Sequence, residues 1–114
     1  MGLEHAKNLF SSPPDTLDGM SLLVDVLAAS IELVSLDGND FTWSSWPDRE
    51  SAKHELSELL ESVREGRIPQ RLSVSVLYAA TGPMQALSMS SGWVDTFVKL
   101  AGYFDAAENV LWPH

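Results

Sequence analysis

Glu50, His54 and Glu58 stand at i, i+4 and i+8, the spacing that sets two carboxylates and an imidazole on one face of a helix. That trio invites a metal or acid–base reading. Zinc, however, needs three or four converging ligands, and one straight helix cannot wrap three of its own side chains around an ion. The other histidines, His5 and His114, lie near the ends of the sequence. We therefore expect a solvated charged stripe, with no metal site, no catalytic residue and no cofactor. Ser45, His54 and Asp48 can be named as nucleophile, base and orienter, but no G-x-S-x-G elbow accompanies them. Neither phosphate-loop pattern, G-x-x-x-x-G-K-[ST] or G-x-G-x-x-G, occurs. The pairs Ser44-Ser45 and Ser90-Ser91 are read as helix-capping residues rather than as an anion site.

The aromatic side chains offer recognition rather than catalysis. Trp43, Trp46, Tyr78, Trp93 and Phe97 are the candidate binding residues. Trp43 and Trp46 are three apart, so a regular strand would aim one into the core and leave the other outside. Tryptophan is enriched where protein surfaces bind one another. The alternative use of the same groups is a small-ligand-binding or enzymatic domain with a pocket between sheet and helices, lined by Trp43, Tyr78, Trp93 and Phe97.

These residues must be positioned by secondary structure, and the spacing of apolar side chains predicts it. Glu4 to Phe10 is a short helix that needs a docking surface to persist. Ser11-Ser12-Pro13-Pro14-Asp15 reads as a linker, so 1–16 is an N-terminal arm and 17–114 the domain. Leu17 to Ser30 follows helical spacing with an apolar stripe wide enough to be covered on more than one side; Asp15 or Thr16 would cap it. Ile31 to Leu36 and Phe41 to Trp46 read as two strands around Asp37-Gly38-Asn39-Asp40. Pro47-Asp48 opens an amphipathic helix with Ala52, Leu56, Leu59, Leu60 and Val63 on one face and Gly66 at its stop.

Leu72, Val74, Val76 and Tyr78 alternate with Ser73, Ser75, Leu77 and Ala79, the period of a strand, and Met84 to Ser90 reads as its partner across Thr81-Gly82-Pro83. A last helix runs from about Trp93 to Ala107. The order is α-ββ-α-ββ-α, an α+β fold with a four-stranded antiparallel sheet and its helices mainly on one face. Two ββα units, 31–66 and 72–107, would make a weak internal repeat.

Composition bounds the partners. The 114 residues carry 16 acidic side chains against 7 Lys plus Arg, a net charge of −9, with no cysteine. Binding nucleic acid phosphates depends on clustered cations, so no nucleic acid partner is expected. No run of about 18 apolar residues is present, and Met1 to Phe10 has no basic stretch leading into an apolar one, so no membrane span and no signal peptide are expected. We expect a cytoplasmic protein.

The charge is uneven. Between Arg71 and Asp95 there is no charged residue. An uncharged hairpin is either central in its sheet or an edge that pairs with another chain. Together these features predict a small acidic protein-interaction domain, most simply a homodimer, with a basic protein as the other candidate partner.

Overall fold

The computed structural model describes residues 3–11, 13 and 18–112. Among these residues six α-helices and one short 3-10 turn follow one another: α1 (Glu4–Phe10), α2 (Gly19–Val34), α3 (Arg49–Arg64), α4 (Arg71–Ser75), the turn Val76–Tyr78, α5 (Pro83–Ser91) and α6 (Val94–Leu111). Among the described residues there is no strand. The expected α+β fold, its four-stranded sheet and its two ββα units are therefore replaced by an all-helical one.

α2 explains the architecture. Leu22, Leu23, Val26, Leu27, Ala28, Ala29, Leu33 and Val34 are all buried, so no side of this helix can face water for its whole length. α1, α3 and α6 pack around it. Its start is capped by Asp18, whose carboxylate accepts the Ser21 N–H at 2.8 Å; Asp15 and Thr16, the expected caps, lie outside the described residues. Gly19 lets the last turn of α6 come close, because a Cβ there would sit 2.8 Å from Val110 Cγ1.

The strand expected at Ile31 to Leu36 is the last turn of this helix and the two residues beyond it. β-branched residues lose only about 0.5 kcal/mol each in a helix. Burying a side chain such as Leu33 or Val34 is worth about 1.5–3 kcal/mol, so packing decides. The expected strand at Phe41 to Trp46 is an irregular loop without ladder pairing.

The alternation at Leu72 to Ala79 misled for a clearer reason. The buried residues are Val74, Leu77 and Tyr78, at i, i+3 and i+4. Leu77, placed by alternation on the polar side, is in the core, whereas Leu72 and Val76 are outside. Met84 to Ser90 belongs to α5, with Met84, Leu87 and Ser88 inward at helical spacing. Pro83 is its first residue, where a missing N–H leaves nothing unsatisfied. Gly92, at φ 85, ends it in the left-handed conformation.

α3 is as amphipathic as its sequence predicts. Ala52, Leu56, Leu60 and Val63 are buried, and Asp48 caps it by accepting the Ser51 N–H at 2.9 Å. In α6, Phe97, Leu100, Phe104 and Ala107 face the core. Arg71 of α4 donates to Glu108 of α6 at 2.9 Å, and the Trp112 indole donates to the Pro69 carbonyl at 3.2 Å, so the end of the 65–71 stretch is tied to α6 and the residue that follows it.

Two polar groups lie deep in this core and answer each other. The Ser30 hydroxyl and the Tyr78 phenol are 2.6 Å apart, and Ser30 also donates to the Val26 carbonyl at 2.7 Å. Tyr78 stacks on Phe104 with ring centroids 4.7 Å apart. Burial pushes the phenol well above its usual pKa, so it stays protonated. Replacing one partner should cost about 1 kcal/mol, because the other loses a hydrogen bond in a dry site. Tyr78→Phe is therefore expected to lose about 1 kcal/mol in urea unfolding, and adding Ser30→Ala to lose little more. A fully additive double mutant would show that the two hydroxyls are not coupled.

The carboxylates give a pH dependence. Backbone and side-chain donors from Ser21 hold Asp18 below its usual range, and Ser51 does the same for Asp48. Glu32 is also lowered: burial opposes its charge, but hydrogen bonds from His5 and Ala6 outweigh that. A carboxylate lowered by folding contributes stability that is complete above its unfolded pKa and disappears as pH falls through its folded value. Burial raises Asp25 and Asp105, which act in the opposite sense. Asp40, which Thr42 donors also lower, joins them, so four lowered groups stand against two raised ones. Thermal melts are expected to be flat from neutral pH to about 5 and to drop steeply below ~4.

Candidate functional site

The candidate aromatic residues do not converge. Tyr78 and Phe97 are core residues, and Trp46 is buried with its indole donating to Glu55 Oε1 at 2.9 Å. Trp93 is half-buried and donates to Asn39 Oδ1 at 2.9 Å. Trp43 alone stands out in solvent, 76% exposed. So one of the pair Trp43 and Trp46 is inside and one outside, though a loop rather than a strand separates them.

That loop is held firmly. Asn39 donates to the Leu33 carbonyl at 2.8 Å, which ties it to the end of α2. The Ser91 hydroxyl accepts the Asp40 N–H at 2.9 Å, and Ser90 donates to the Asp40 carbonyl at 2.8 Å. The second serine pair thus does not cap α6; it fastens the end of α5 to residue 40. Thr42 N–H donates to Asp40 Oδ1 at 2.9 Å and Trp46 N–H to Ser44 Oγ at 3.1 Å, closing two small turns on either side of Trp43. The indole at position 43 therefore projects from an anchored loop.

Two open grooves share this indole. One, of about 370 Å³, is lined by Trp43, Gln85, Ala86, Met89 and Ser90. The other, also about 370 Å³, adds Ser45, Val76, Thr81, Gly82 and Pro83 to Trp43 and Ala86. Val76 is 52% exposed and Met89 62%. Gln85 and Met89 are one turn apart on α5, with the amide donating to the thioether at 3.0 Å. No lining side chain carries a charge. Hydroxyls, one amide and the Trp43 indole N–H are the side-chain hydrogen-bonding groups apart from the Met89 thioether, so the chemistry on offer is apolar contact with a few hydrogen bonds.

A third groove, of about 440 Å³, has a different character. Glu55, Glu58, Leu59, Ser62 and Ser73 line it between α3 and α4. The stripe of Glu50, His54 and Glu58 lies along exposed α3, with His54 Nε2 3.5 Å from Glu58. Among the described residues no three His, Asp or Glu side chains are grouped to hold a metal ion, and no helix is long and apolar enough to cross a membrane.

Val76, Gln85, Ala86 and Met89 are lining residues that strand reading missed. Pro83 was the available signal. A helix begun there turns Met84, Leu87 and Ser88 inward and leaves an outward face with no charge.

No family model, curated protein or solved structure matches the chain. The reading of the site rests on its own geometry.

Gly82 shapes the second groove. A Cβ at this residue would stand 2.0 Å from the Val76 carbonyl oxygen, so only glycine lets the chain turn so tightly from the 3-10 turn into α5. Gly82→Ala is expected to lose about 1–3 kcal/mol in thermal or urea unfolding. Gly102→Ala, on an open face of α6 with nothing near its Cβ, is expected to gain up to about 1 kcal/mol. Equal effects would show that the close approach at Gly82 is not maintained in solution.

Proposed function

We propose that this chain is a protein-interaction domain that self-associates through the uncharged surface around Trp43. One observation carries the reading: an anchored, 76% exposed tryptophan stands beside two grooves bordered by exposed Val76 and Met89. Isolated apolar side chains on a surface need no explanation, but a grouped set around a fixed aromatic does.

Charge favours a second copy as the occupant. At −9, two copies repel at long range, and an acidic face would oppose their contact. The segments Phe41–Pro47 and Leu72–Val94 hold no charged side chain, and they supply the lining of both grooves. A basic partner would instead be drawn to the carboxylate-lined face of α3. Trp43 and its grooves are adjacent, so a two-fold arrangement seats the indole of each copy beside α5 of the other. We carry the cytoplasmic location as part of this proposal, since a chain without cysteine needs no oxidising compartment.

Light scattering coupled to size-exclusion chromatography tests this. A concentration-dependent dimer is expected. Trp43→Ala and Met89→Glu should each weaken it at least tenfold, about 1.4 kcal/mol or more, while leaving the thermal melt of the monomer nearly unchanged. A monomer at every concentration, or a dimer indifferent to both substitutions, would overturn the reading.

A further inference from the structure

Sulfur in this chain is confined to thioethers. There is no cysteine, so no thiol competes for a mild oxidant, and methionine is the side chain that such an oxidant meets first. Three methionines fall among the described residues, and the fold places them differently. Met84 is fully buried on the inward face of α5. Met20, near the start of α2, is half-buried against the core. Met89, on the same helix as Met84 but on its outward face, is 62% exposed. Oxidation follows exposure, so these positions are ranked before any chemistry begins.

Met89 is also the methionine that lines a Trp43 groove, with Gln85, Ala86 and Ser90 beside it. The Gln85 amide donates to its sulfur at 3.0 Å. A thioether is a weak acceptor, and its second lone pair stays free to react. A sulfoxide oxygen is a stronger acceptor, and the amide that would donate to it is already in place. No side chain lining this groove carries a charge, so a sulfoxide dipole there replaces apolar contact rather than joining a polar network.

We infer, resting on the self-association reading, that Met89 is an oxidation switch of the Trp43 surface: a hydroperoxide converts its thioether to the sulfoxide, and the sulfoxide holds the chain as a monomer. A sulfur lone pair attacks one peroxide oxygen. The S–O bond forms as the O–O bond breaks, and the leaving hydroxide or alkoxide takes up the proton as water or an alcohol. The sulfur gives up an electron pair and the peroxide is reduced by it. The reaction occurs on the monomer, because the contact covers Met89 in the dimer. Closing the contact over a sulfoxide strips water from a strong acceptor in a largely apolar setting, so the oxidised chain stays apart. Oxidation thereby draws dimer into monomer by mass action.

The test treats the full-length protein with hydrogen peroxide, maps the products by peptide mass spectrometry and follows dimerisation by light scattering. At concentrations below the dimer range, Met89 is expected to oxidise about tenfold faster than Met84, and faster than Met20. Raising the concentration through the dimer range should slow the reaction at Met89. The oxidised chain should dimerise about tenfold more weakly with its helical circular dichroism unchanged, and methionine sulfoxide reductases should restore the untreated affinity. Met20→Leu should respond to peroxide as the unmodified chain does. An untreated chain that stays monomeric at every concentration overturns the self-association reading and this inference with it. A chain that dimerises untreated, but oxidises at Met84 or Met20 as fast as at Met89, keeps its affinity once Met89 is oxidised, or fails to recover on reduction, overturns the inference and leaves self-association standing.

Discussion

α2 is apolar around nearly its whole circumference, and a helix of that kind has to be enclosed. A sheet could cover one of its sides. Helices packed from several directions cover all of them, and α1, α3 and α6 do so. The rest follows from closing this shell. α3 brings a one-sided stripe and so faces the centre with Leu56 and Leu60 while its charges stay in water. α6 is long enough to run past the start of α2, and Gly19 provides the space for its last turn. A buried polar contact, Ser30 with Tyr78, fixes the 3-10 turn to α2.

The long helices were legible because their stripes run through several turns. Glu4–Phe10, the 17–30 helix, the helix opened by Pro47-Asp48 and the last helix all appear within a few residues of their expected ranges. The segment 71–91 was not legible, because short helices and short strands share spacings. Val74, Val76 and Tyr78 fit a strand; Val74, Leu77 and Tyr78 fit a helix, and only packing distinguishes them. Alternation also assumes that apolar means buried. Leu72, at 79% exposure, and Val76 break that assumption, and it is at Val76 that the candidate surface lies.

Trp43 could be named from the sequence, but its neighbours could not. Its surroundings come from Val76 and from the outward face of α5, more than thirty residues away, and only the fold brings them together. The serine pairs show the same limit. Ser90 and Ser91 have the composition of helix caps, yet their hydroxyls meet the backbone of Asp40, fifty residues earlier in the chain. Local chemistry says that a hydroxyl will find a partner; it does not say which.

The absence of charge from Leu72 to Val94 changes meaning once these residues are helical. In a sheet, a neutral strand can be neutral because both faces are covered. In a helix packed on one side, the other side meets water and has no packing reason to lack charge. α3 and α5 make the comparison within one molecule. Both bury one face, and both expose the other. α3 exposes Glu50, His54, Glu58 and Glu61; α5 exposes Met89, with Gln85, Ala86 and Ser90 half-exposed beside it. Trp43, also uncharged and clamped from both sides, stands next to the second face and not the first. For a chain of −9, repulsion is felt over about 8 Å at physiological salt, so contact with another copy is least opposed where its own charges are farthest away. The outward face of α5 carries no charge of its own, so the proposed contact is less opposed there than on the carboxylate-bearing face of α3, even though the sheet edge that the neutral stretch first suggested does not exist.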